Sequence, residues 1–190
     1  METISKFFLI LFFVFFGCSE DLSEDMELQE TQNHENLKCP HEGKTATVKI
    51  RARLSSEPNL LLPRLTCEPT EYGVTVGGGG WVSGVTSLLG RVNRDSSTYE
   101  YNYCQLGPGP TELTAYGNCQ MMGARGDKYY IDTYAVIDYT TQTFHGHVEI
   151  TGGTGRFEGA TGLVEMYDGY LDEMGAHWKG KGTINLIKGK

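Results

Sequence analysis

The chain has 190 residues, a formal net charge of −8, 39% hydrophobic residues and 25 glycines. The acidity is local: seven acids (Glu20, Asp21, Glu24, Asp25, Glu27, Glu30 and Glu35) stand between Cys18 and Lys38, whereas the chain from Cys39 onward is close to neutral. A near-neutral body with no basic run and no interleaved basic and aromatic stripe excludes nucleic acid as a partner.

At the amino terminus, Lys6 precedes an unbroken apolar run from Phe7 to Phe16, which ends at Gly17-Cys18. The run holds about half of the ~20 residues that a helix needs to cross a bilayer core, so it reads as the apolar region of a signal peptide. With a small residue before the cysteine, it resembles a bacterial lipoprotein signal, in which the chain is cut before the cysteine and the thiol carries lipid. Phe15 and Phe16 depart from the usual pattern, and ordinary cleavage would leave Cys18 a plain thiol. The expectation is a signal peptide over 1–17, acylation of Cys18, and a membrane partner held through several acyl chains, which anchor stably where one does not. Such a protein is exported to the cell envelope, at the outer membrane or the cell surface. Residues 18–38, acidic and poor in aromatics, read as a disordered tether.

The rest, 39–190, has no internal linker or composition break and is long enough, at about 150 residues, for one domain with its own core. Four cysteines fall in it: Cys39, Cys67, Cys104 and Cys119. In an oxidising compartment an even number favours disulfides. Three pairings exist. Proximity along the chain favours Cys39 with Cys67 and Cys104 with Cys119, each bracketing a Pro- or Gly-rich loop. A zinc site is disfavoured, because no C-x-x-C occurs and Cys39-Pro40-His41 is too crowded for two tetrahedral ligands.

Along this domain, short alternating segments predict strands. In 47–53, Val48, Ile50 and Ala52 alternate with Thr47, Lys49, Arg51 and Arg53. Tyr99, Tyr101 and Tyr103 are expected to share one strand face. Tyr129 to Ile137 is a further strand, and in 144–150 Phe144, Val148 and Ile150 oppose His145, His147 and Glu149. Leu163 to Tyr170 follows, and Trp178 to Ile187 closes the series with Trp178, Ile184 and Leu186 on one side. No long helical period appears, so the expectation is an all-β domain: a closed antiparallel barrel, which removes sheet edges.

The most distinctive internal stretch runs from Ile150 through Gly152-Gly153-Thr154-Gly155-Arg156-Phe157 to Gly162. It is not a dinucleotide fingerprint: Glu158 stands where the third glycine belongs, and a strand pattern follows where a helix should open. Its glycines instead suit a tight connection with positive φ, Phe157 serving as an apolar plug and Ala160 allowing close approach. The stretch resembles the GGTGRF-type motif of dirigent proteins and of bacterial secreted proteins with the related allene oxide cyclase-like barrel. Leu113-Thr114-Ala115, 124–130 and Leu88-Leu89-Gly90-Arg91 are similar to flanking features of the bacterial members, so the resemblance spans roughly 75–187. It implies a barrel of about eight strands that either fills its interior or holds one small ligand. Dirigent relatives are oligomers, which raises homo-oligomer formation without settling it. The catalytic residues of the plant families cannot be placed in this sequence, because nothing outside the glycine motif aligns, so no activity is carried over.

Two constellations hold side chains capable of chemistry. His145, His147 and Glu149 share a strand face and would need a further ligand to hold a metal; a solvated outer face explains them as well, and no metal or cofactor is expected. Tyr101, Tyr130, Asp132 and Tyr134 bring aromatic rings with polar tips beside a carboxylate, which suits a cavity for sugars or flat organic molecules. Barrel packing explains the tyrosines too. Gly80-Trp81-Val82-Ser83-Gly84 is no nucleophile elbow, Gly77 to Gly80 lacks a phosphate-loop lysine, and Arg125-Gly126-Asp127 reads as the lead-in to a strand. A non-enzymatic binding or structural module for a small apolar or sugar ligand is therefore favoured. The alternative, a cyclase or isomerase, would require an open cavity holding Asp132 or Glu165 beside tyrosines.

Overall fold

The computed structural model describes residues 44–188 except Pro108 and Pro110. The signal segment, Cys18, the acidic tether and Cys39 lie outside the described residues.

Alternation dictates the strands. Along Lys128–Asp138, Tyr129, Ile131, Ala135 and Ile137 are buried, while Tyr130 and Asp132 are exposed. A strand with one apolar face must find a second layer or curl, and here the sheet curls. The strands, in chain order, are β1 (Thr45–Pro58), β2 (Leu65–Thr66), β3 (Thr75–Val76), β4 (Gly79–Thr86), β5 (Gly90–Val92), β6 (Thr98–Leu106), β7 (Glu112–Met122), β8 (Lys128–Asp138), β9 (Thr143–Gly153), β10 (Thr161–Asp172) and β11 (Gly175–Ile187). Neighbours run β1-β11-β10-β9-β8-β7-β6-β4, and β4 pairs back onto β1, so eight strands form a closed antiparallel ring. The short β5 pairs with β4 outside the ring, and β2–β3 is a separate two-stranded ribbon.

The ring closes on β4. Its residues Gly80 to Thr86 run alongside Pro58 to Ala52, but only Gly79 to Trp81 pair with β6. A Cβ on Gly80 would stand 2.0 Å from the Glu57 carbonyl oxygen. Only a residue without a side chain permits that approach, so the glycine run belongs to this seam.

Both ends are covered. At one, the motif forms a single 3-10 turn, Gly155–Phe157, that inserts Phe157, fully buried, edge-on to Tyr129 with centroids 5.3 Å apart. Arg156 fixes the turn: Nη2 donates to the Leu88 carbonyl, Nε lies 3.3 Å from Asp127 Oδ2, and the guanidinium covers the Phe157 ring. Asp127 is thus an internal partner, as the strand lead-in reading expects. At the other end, the loop carrying β2 and β3 lays Leu65, Cys67, Val74 and Val76 over Leu113, Ile137 and Phe144.

That second cover corrects the expected disulfide pairing. Cys67 is bonded to Cys104, and Cys119 is a free thiol. Cys104 pairs in register with Ala115, so Cys119, four residues further along β7, stands roughly 14 Å away, beyond the ~7 Å Cα limit for a bridge. With Cys104 holding Cys67, the pairing of Cys39 with Cys67 falls as well. The bond spans 37 residues, and closing a loop of that size contributes about 4 kcal/mol in the chain-entropy account.

If Phe157 plugs the barrel, Phe157→Ala should lower unfolding stability by about 3–5 kcal/mol, as for large aromatic deletions in cores. Urea denaturation checks this; a loss under about 1 kcal/mol would mean that the turn is peripheral.

Candidate interior cavity and the outer face

Between the two covers the ring encloses a cavity of about 80 Å³. One water needs roughly 10–15 Å³ on this scale, so there is room for several waters or one small ring. Its wall is apolar, with Ile50, Leu54, Val82, Ile131, Val164 and Trp178 projecting from alternating strand positions. Polar tips reach it from Ser56, Tyr99, Tyr101, Cys119 and Thr133. Tyr99 and Tyr101 follow the inward period of β6, with ring centroids 5.4 Å apart and edge to face.

These groups are neutral. Burial pushes the phenols of Tyr99, Tyr101 and Tyr129 above their ordinary range; a hydrogen bond from Ser56 to Tyr99 and one from Thr86 to Tyr129 only partly offset this. Burial also raises the Cys119 thiol to about 12. Cys119 nevertheless keeps bare surface, and what that surface faces is the cavity. The inward-facing side chains can accept and donate hydrogen bonds and are uncharged at neutral pH; Glu100, which also borders the cavity, is exposed on the outer side of β6 between the inward Tyr99 and Tyr101.

Of the residues expected to gather around a ligand, only Tyr101 lies in this cavity. Tyr130, Asp132 and Tyr134 sit on the opposite face of β8, because a strand sends consecutive side chains to opposite sides. Asp132 is exposed, its Oδ1 accepting from Asn118 Nδ2 at 2.8 Å, and Glu165 is likewise outside, paired with Lys181 at 3.1 Å. Tyr103 does not share a face with Tyr99 and Tyr101. The register shifts between Tyr101 and Tyr103, a β-bulge that turns Tyr103 outward.

Outside, Tyr103 then begins a row across four strands: it meets Tyr116 at 5.8 Å, Tyr116 meets Tyr134 at 5.2 Å, and Tyr134 stacks on His147 at 5.0 Å. His145 and Glu149 are exposed on the same face, and among the described residues no three His, Cys, Asp or Glu side chains converge. Gly153, Gly155 and Phe157 form the plug, a Cβ on Gly153 falling 2.5 Å from Phe157 Cβ, whereas Gly152 lies in β9 opposite Tyr130. The backbone at Gly155 has φ +57°, and a Cβ there would stand 2.4 Å from Asp127 Oδ1.

One cluster escaped sequence reasoning altogether. Ser55 Oγ lies 2.8 Å from His177 Nδ1, and His177 Nε2 lies 3.1 Å from Asp172 Oδ2. Asp172 Oδ1 is held by the backbone N–H groups of Met174 and Gly175, and these bonds with His177 hold its carboxyl below the usual range. The imidazole stacks on Tyr170 at 4.8 Å. The order of groups is that of a nucleophile, a base and an orienting acid. Ser55, however, lies mid-ladder, facing His177 on one side and Ser83 on the other, so the surrounding backbone N–H groups are committed to the sheet instead of a substrate oxygen. The cluster ties β1 to the β10–β11 hairpin.

No protein-family description matches this chain, and no curated protein sequence matches it either. Among solved structures, it is similar to the pterocarpan synthase dirigent protein GePTS1, with 14% identity over 80% of this chain and 90% of that one, at a TM-score of 0.36. It is similar also to the pterocarpan synthase dirigent protein PsPTS1, with 11% identity, 76% and 95% coverage, and a TM-score of 0.35.

The Cys119 assignment predicts two behaviours. Iodoacetamide should leave Cys119 unmodified in the folded protein at pH 8 and alkylate it after unfolding, with Cys67 and Cys104 reacting only once reduced; peptide mass mapping reads this. Because an unfolded thiol ionises near ~8.5 and the folded one near 12, the folded state holds an extra proton in between. Stability should therefore fall as pH rises through that window, and less so in Cys119→Ala.

Proposed function

We propose that this protein is an exported, membrane-tethered binding protein whose barrel holds one small, neutral, mainly apolar molecule and performs no chemistry on it. The observation that carries the reading is the character of the cavity: apolar walls, hydroxyls, and two phenols and a thiol kept uncharged by burial, with the carboxylates of Glu100, Asp132 and Glu165 all exposed on the outer face. General acid–base chemistry needs a group that titrates near the working pH and touches the substrate. A phenol and a thiol shifted upward do not supply one. What they supply is orientation: an aromatic guest with one polar atom would lie against Trp178 and Tyr101 and place that atom toward Ser56 and Tyr99. The volume favours a guest the size of phenol or indole over an acyl chain.

Indole is a suitable probe. At about one hundred times its dissociation constant, a ligand that binds only the folded state adds roughly 2.7 kcal/mol, visible as a rise in Tm. Cys119→Leu fills part of the space and should melt near the wild type while losing the indole response. Identical melting with and without millimolar indole, phenol and toluene would reject the interior site.

Anchoring is the second half of the proposal. The apolar segment ending at Gly17-Cys18, followed by seven acids before Lys38, supports a lipidated cysteine on a self-repelling spacer that holds the barrel away from the envelope surface. Mass spectrometry of protein from native membranes should find the chain beginning at Cys18 with acyl chains attached, and Cys18→Ser should release it to the soluble fraction. Recovery of an unmodified Cys18 thiol in membrane-free material would defeat the assignment.

A further inference from the structure

We propose that the outer face of β7, β8 and β9 carries a second site, a saccharide-binding groove formed by Asn118, Gln120, Tyr130 and Asp132, across the barrel wall from the interior cavity. A concavity of about 330 Å³ opens there, reaching Glu100 on one side and Thr151 on the other, and Tyr99, Cys119 and Ile131 in the wall beneath it border the interior cavity as well. A convex barrel wall needs a reason for a hollow, and the backbone provides it. Gly152 stands opposite Tyr130 in register and contributes no side chain; a Cβ built on it would meet nothing within 4 Å. The register shift beside it leaves Thr151 unpaired as a bulge, and bulges commonly re-aim side chains next to functional sites.

The groups around the hollow are those that read hydroxyls. Asn102 donates to Asn118 and Asn118 donates to Asp132 Oδ1, so three side chains on three adjacent strands hold one another in place before any ligand arrives. Among the described residues, Asp132 Oδ2, the Gln120 amide and the Tyr130 hydroxyl have no protein hydrogen-bond partner. Tyr130 is 40% exposed, and its ring borders the hollow as a surface on which the C–H face of a pyranose can lie. Next to it, the row Tyr116, Tyr134 and His147 extends aromatic surface along the same strands.

Electrostatics narrows the ligand class. Asp132 and Glu149 face each other in register on β8 and β9, and like charges directly opposite destabilise a sheet. A ligand that donates hydrogen bonds relieves that repulsion, whereas an anion increases it. The groove therefore suits neutral or amino sugars, and it disfavours uronic, sulfated or phosphorylated ones.

The test uses the full chain in detergent with chitohexaose, cellohexaose, maltohexaose and xylohexaose, measured by titration calorimetry. At least one should bind, with heparin as an anionic control that does not. Tyr130→Ala and Asp132→Ala should each weaken binding about tenfold or more, equivalent to roughly 1.4 kcal/mol, with Tm and the indole response unchanged. That last readout separates this site from the interior one, since either can fail without the other. Failure of all four oligosaccharides to bind would overturn the proposal. So would binding that survives both substitutions, or heparin as the sole ligand.

Discussion

Closure of the sheet at β4 is the constraint on which everything else depends. An open sheet of this length would leave two rows of unpaired N–H and C=O groups and one uncovered apolar face. By pairing with both β1 and β6, β4 removes the edges and converts the apolar face into a lumen. The seam tolerates little: Gly79 and Gly80 lie so close to Tyr99 and Glu57 backbone atoms that any side chain would pry it open. The glycine motif that marks the chain most clearly performs a different task. It carries Phe157 into the barrel end after the ring is already closed by other residues.

A closed ring is not by itself a chamber. Side chains from eight strands tend to fill so narrow a lumen, and here the ends are filled: Phe157, Tyr129 and Ile184 at one, Leu113, Ile137 and Phe144 beneath Cys67 and Val76 at the other. The residues between are where the space survives. Gly117, Cys119, Thr133 and Gly180 are small where an alternating strand would ordinarily place Val or Leu. Burial between the two covers holds the Cys119 thiol and the Tyr101 phenol protonated. Cover, volume and neutrality are one physical fact seen three ways.

The strands were legible because their signal is local. Alternation in 47–53, 144–150 and 178–187 marks inward faces without knowledge of neighbours, and the glycines after Ile150 announce a turn that no other residue could make. What spans strands was harder. The Cys67–Cys104 bond joins a covering loop to β6, and nearness in sequence misleads when the loop folds back over the barrel end. Tyr103 was misplaced because one extra residue at a bulge reverses the face of everything after it, and nothing in Tyr-Asn-Tyr reveals the extra residue. Tyr130, Asp132 and Tyr134, two apart on one strand, share its outer face, whereas Tyr101 faces the lumen because its side is set by a different strand. Ser55, His177 and Asp172 carried no signal, since the first is separated from the others by the whole barrel circuit.

The period of two is also what lets the two proposed sites share one set of strands. Along β8, Tyr129, Ile131 and Thr133 belong to the lumen, and Tyr130, Asp132 and Tyr134 belong to the outer face. Tyr130 and Asp132 border only the outer hollow, Tyr129 and Thr133 only the lumen, and Ile131 between them borders both. The two faces differ in dielectric as well: inside, burial forbids charge, while outside, solvent sustains the apposed carboxylates of Asp132 and Glu149. On the proposed readings the lumen would select against polarity and the groove for hydroxyls, a division that follows from the cost of burying unpaired polar groups.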